Sequence, residues 1–181
     1  MDTNVVIEII IEALKKVNNP RFFKTERGYQ GRFACAMYEV MDNKEIFPDD
    51  AILEEEYQKR LKEHRTIQRP DIIVHIPAEI SGLADSSKNN FVVFAFKKNT
   101  TLKEAGEVFY TLDVMFKELE YPLGIFINIG TLHTHIDKYR GIYKERLHFF
   151  SVVMKNAELK IVHAFFNNAQ IEKQNISVDT Q

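Results

Sequence analysis

Apolar residues recur at helical spacing over residues 3–17, where Val6, Ile9, Ile10, Ala13, Leu14 and Val17 share a face. Asp2 or Thr3 can cap this helix, and Asn18-Asn19-Pro20 ends it. Ile7 and Ile11 widen its apolar surface, so it is either well buried or meets a partner. A second helix is predicted from the N-cap Thr25 to Asp42, with Tyr29, Phe33, Ala36, Met37, Val40 and Met41 as its stripe. Gly28 and Gly31 lie in its first turns and mark a close approach or tight packing. Residues 43–50 read as a polar loop, and residues 51–60 as either a solvated helix or a strand.

The next pattern is different. Asp71-Ile72-Ile73-Val74-His75-Ile76 and Phe91-Val92-Val93-Phe94-Ala95-Phe96 are nearly continuous apolar runs, which suits strands covered on both faces. A loop-like stretch, 78–90, separates them. Thr101-Leu102-Lys103-Glu104 is a capping box. The stripe Leu102, Ala105, Val108, Phe109, Leu112, Met115, Phe116 and Leu119 then predicts a helix that Tyr121-Pro122 stops. Residues 123–129 form a third buried strand, so strand, helix and strand predict a parallel crossover. Residues 132–143 read as helical, residues 159–165 as a last strand, and residues from 167 as a polar tail. The class is α/β, in one domain over 1–181: N-terminal helix, core over about 25–166, and tail.

Composition narrows the function. The chain has 181 residues, one cysteine and a net charge of -2. One cysteine excludes an internal disulfide or a cysteine-based zinc site. Aromatic and apolar content argue against disorder. No apolar run reaches the roughly 18 residues of a membrane span, and Glu8 and Glu12 interrupt the amino-terminal stretch against a signal peptide. A cytoplasmic protein with no membrane partner is expected. Near-neutral charge excludes a purely electrostatic nucleic-acid binder.

Charged residues gather where buried strands end. Arg69-Pro70-Asp71 stands at the end of one, Lys97-Lys98 at the end of the next, and Glu26-Arg27 opens the second helix. Proline holds Asp71 in extended chain, and Lys97 lies where an apolar strand meets solvent. Other titratable residues have plainer readings. Asp71 could merely pair with Arg69, Glu26 suits a helix N-terminus for dipole reasons, and Glu54-Glu55-Glu56 suits a solvated face. His75 reads as a core histidine and Cys35 as a buried structural thiol. His133-Thr134-His135 lacks a third ligand at zinc spacing.

Taken in order, Glu26-Arg27, Glu56-Tyr57 with Arg60, Arg69-Pro70-Asp71-Ile72-Ile73-Val74-His75, and the Asn90-led strand ending in Lys97-Lys98 resemble the PD-(D/E)XK nuclease superfamily. More closely the chain resembles a bacterial nuclease-like family, over about residues 25–129. The resemblance implies a restriction-endonuclease-like core, a central mixed sheet flanked by helices. It implies a nuclease that hydrolyses phosphodiester bonds of DNA with Mg²⁺ or Mn²⁺, and a role in bacterial defence or DNA processing. In that family carboxylates hold the metal against the phosphate, where it activates water, and a lysine stabilises developing charge. By resemblance Lys97, Asp71 and Glu26 are the catalytic group; Asp71, Glu26 and Glu56 are metal ligands; Arg27, Arg69 and Lys98 contact nucleic acid.

One departure is central. The second metal-binding acid of the family falls at Ala95, and a methyl group cannot ligate magnesium. Three readings follow: alanine replaces a natural glutamate; the chain is a natural pseudonuclease binding nucleic acid or a protein; or Glu79, Glu56 or Glu26 supplies the acid from elsewhere. The first two make this form inactive or crippled. A homodimer or a protein partner is expected through the N-terminal helix, which lies outside the resembling region.

Overall fold

The computed structural model describes residues 2–44, 46–55, 69–77, 80 and 86–179. Glu56, Tyr57, Arg60 and Glu79 lie outside these residues. The core is a seven-stranded mixed sheet in the order β1-β2-β3-β4-β5-β6-β7, comprising β1 (Ile52–Glu55), β2 (Ile72–His75), β3 (Asn90–Lys98), β4 (Leu123–Ile129), β5 (Leu147–Lys155), β6 (Glu158–Asn167) and β7 (Gln170–Asp179). Only β3–β4 and β4–β5 pair in parallel; the other neighbours are antiparallel. Helices α1 (Thr3–Lys16) and α2 (Glu26–Asp42) cover one face, and α3 (Leu102–Leu119) covers the other.

Local signals explain the helices. Asp2 caps α1 by accepting from the Asn4 amide, and Thr25 caps α2 by accepting from the Gly28 amide. A Cβ on Gly28 would stand 2.7 Å from the Thr25 hydroxyl, so that glycine serves the cap, whereas Gly31 faces open space. Both halves of the Thr101–Glu104 capping box form at the start of α3. At its other end Asn90 Nδ2 donates to the Leu119 carbonyl at 2.9 Å and ties the helix to the start of β3.

The widened apolar surface of α1 is used within the chain. Val6, Ile7, Ile9, Ile10, Ala13, Leu14 and Val17 are buried, and Ile11 packs partly buried against the same core. Alternation along β3 divides its side chains. Val92, Phe94 and Phe96 join the α1–α2 core, while Val93 and Ala95 join the α3 core. Phe33, midway along α2, meets Phe94 and Phe96 edge-on and holds the helix over the second half of β3.

Several expectations are corrected. Residues 132–143 are not a helix: the crossover from β4 to β5 carries only short 3₁₀ turns at Ile136–Lys138 and Lys144–Arg146. Ile136 and Tyr139 do face the core, but they are fixed by contacts to α3 and the sheet instead of by helical hydrogen bonds. Residues 147–155 form β5, which the sequence reading left without an element. The polar stretch from 167 is largely strand, since β7 pairs with β6 along its length. Its register comes from a two-residue turn at Asn168–Ala169, both at positive φ, repeating the Asn156–Ala157 turn between β5 and β6. Residues 52–55, left ambiguous, are a strand, and β3 runs on through both lysines.

Candidate active site

The site follows from register. Ile72 pairs with Phe94 and Ile73 with Val93, so the chain entering β2 brings Asp71 beside Ala95 and Phe96. Strand β2 begins only at Ile72, and Asp71 itself sits in a bend after Pro70. Its carboxylate extends the ladder by one rung: Oδ2 accepts from the Phe96 amide at 2.7 Å. One residue along, the Lys97 ammonium meets Glu26 Oε1 at 3.1 Å, and Glu26 Oε2 accepts from the Lys98 amide at 3.0 Å. Glu26 stands in the first turn of α2 because Thr25 caps the helix there.

These groups open onto a cleft of about 550 Å³ between the β2–β3 ends and α3. Glu26, Arg69, Asp71, Lys97 and Lys98 line its charged side. Val93, Ala95, Val108, Leu112 and Met115 form its apolar wall, and Glu104, Glu107 and Thr111 add polar groups from α3. Glu104 is occupied by its cap: the Thr101 amide and hydroxyl, with Lys97 nearby, hold its carboxyl below the usual carboxylate range. Ala95 is 9% exposed and faces this cleft.

The structure therefore brings together Glu26, Asp71, Lys97, Lys98, Arg69 and position 95. Arg27 is exposed and does not line the cleft, and Glu56 lies outside the described residues. Gln30 is a residue that the sequence reading passed over: its side-chain amide donates to the Asp71 carbonyl at 3.0 Å. Only its spacing, four residues after Glu26, signals it. Elsewhere, His75 Nε2 stands 3.0 Å from Glu54 Oε2, a satisfied inner histidine. His135 Nε2 bonds the Thr100 carbonyl. Cys35 is exposed on α2, which corrects the buried reading; its position falls outside the apolar stripe.

The donors decide whether a magnesium ion fits. Asp71 gives one oxygen to Phe96, Glu26 gives both to Lys97 and Lys98, and Ala95 has none to give. Among the described residues no group of three histidine, cysteine, aspartate or glutamate side chains could hold a metal ion. The described side chains do not by themselves make a catalytic magnesium site.

No family model matches the chain, and no curated protein matches it in sequence. Among solved structures it is similar to NucC of P. aeruginosa in its cAAA-bound form. The likeness covers 96% of this chain and 83% of that one, with a TM-score of 0.51 and 10% identity. At that identity the likeness is one of fold, and the fold is restriction-endonuclease-like, as the sequence predicts. Among the described residues no helix is long and apolar enough to cross a membrane.

Proposed function

We propose that this chain carries the site of a nuclease that hydrolyses phosphodiester bonds, those of DNA, and that its cleavage is disabled at Ala95. The observation that carries this reading is convergence. Asp71 and Lys97, far apart in sequence, meet at one cleft with position 95 between them. A longer acid at 95 would rise from the same face of β3 as Lys97, beside the Asp71 carboxylate. In such a site two acids hold Mg²⁺ or Mn²⁺, and the lysine stabilises charge on the phosphate. Arg69 and Lys98 at the mouth, with Arg27 on the exposed side of α2, are the proposed phosphate contacts.

Ala95→Glu should restore cleavage of DNA in the presence of Mg²⁺, and Lys97→Ala in that background should abolish it. If Ala95→Glu binds metal no better and cuts neither DNA nor RNA, the nuclease reading fails. The chain would then be a binding module on a nuclease scaffold. Sedimentation with and without a DNA duplex reads that outcome, together with any second subunit.

A further inference from the structure

We infer that Gln30 is a positioning residue for this cleft, holding the Asp71 backbone so that its carboxylate reaches the Phe96 amide. Gln30 is 5% exposed, in the second turn of a helix whose buried side is otherwise apolar. A methionine or leucine would fill the same space, so packing alone does not call for an amide. The amide is used: Nε2 donates to the Asp71 carbonyl at 3.0 Å, across 41 residues of chain. Asp71 precedes the first residue of β2 and lies in a bend, so a side-chain hold on its carbonyl helps set where its carboxylate points. Glu26, one helical turn earlier, binds Lys97 and Lys98. Two side chains four apart on one helix thus grip the two strand ends that carry the acid and the lysine. Helix α2 sets the spacing between those groups, and Gln30 is its contact to the acid.

The test uses the chain as it stands. Gln30→Met should move the Phe96 amide resonance and speed its hydrogen exchange about tenfold while leaving the Lys98 amide unchanged. Glu26→Gln should do the reverse. Gln30→Glu, which keeps length and polarity but loses the donor, should reproduce the Phe96 change if the methionine variant does not fold. An unmoved Phe96 amide in a folded Gln30 variant overturns the inference. A second arm rests on the nuclease reading. In the Ala95→Glu form, Gln30→Met should lower kcat about tenfold with KM within about twofold, and an unchanged kcat also overturns the inference. If Ala95→Glu does not cut, the nuclease reading fails by itself and the Phe96 amide decides the role of Gln30.

Discussion

Two pairs of titratable side chains, one across two strands and one between a strand and a helix, sit in opposite circumstances. His148 on β5 and His163 on β6 meet edge to edge, with Nδ1 and Nε2 2.9 Å apart and ring planes 17° from parallel. His163 also lies flat against Phe150, with centroids 4.4 Å apart. Burial, with the second imidazole beside it, pushes His148 down to about 3, and burial pushes His163 down to about 4. Both rings are neutral at pH 7 and act as hydrogen-bonded aromatic packing. Glu26 and Lys97, by contrast, stand at a cleft with a third of each side chain open to water. An ion pair so exposed is worth only about 0–1 kcal/mol to stability. Solvent access, and not residue type, separates the pair that builds the sheet from the pair that a substrate could reach.

Acid should break this contrast most strongly. The imidazoles of the unfolded chain titrate near about 6.5, well above their folded values. Stability that the pair supplies is therefore complete above that pH and is lost as pH falls toward about 4 and then about 3. Each imidazole adds about 1.4 kcal/mol per pH unit over that range. Urea unfolding between pH 7 and pH 4 should show the slope, and His148→Phe should flatten it; an equal slope in that variant would remove the pair from the account.

An intermediate case lies on the α3 side, where the Tyr139 hydroxyl donates to Asp113 and pins the crossover to the helix. A Cβ on Gly141 would run into both groups, which is why a glycine follows there. Tyr139→Phe should cost about 1.5–3 kcal/mol, as expected for a hydrogen bond to a charged acceptor. Burial raises the Asp113 carboxyl above its ordinary value, against the opposing Tyr139 bond. A raised carboxyl loses stability as pH rises from about 4 through its folded value. Asp113→Asn should therefore compare better with the parent at pH 7 than at pH 4, and the opposite trend in urea unfolding would contradict this. The smallest effect belongs to the cleft: Glu26→Gln should change stability by under about 1 kcal/mol. A larger loss would mean that the pair is structural after all.

The same distinction explains what could be read in advance. Helix α3 and strand β4 were legible because their signals are local: a capping box, an unbroken stripe, and a proline stop. The crossover misled because Leu132, Ile136, Tyr139 and Tyr143 mimic helical spacing, while the last three serve tertiary contacts and Leu132 is exposed. Strand β7 hid because an edge strand exposes most of its side chains; only Ile176 and Val178 reach the core. At the site, Asp71 and Lys97 were legible from residue type and from their places at strand ends. Gln30 was not, since an amide inside a helix carries no chemical signature until its partner, 41 residues away, is known.

In the proposed function one carboxylate, missing at Ala95, separates this cleft from catalysis. The most direct measurement is DNA cleavage with Mg²⁺ by Ala95→Glu beside Ala95→Gln, which has the same length and no charge. The glutamate variant alone should cleave, and EDTA should abolish that cleavage. Cleavage by neither variant, or equally by both, would contradict the proposed function.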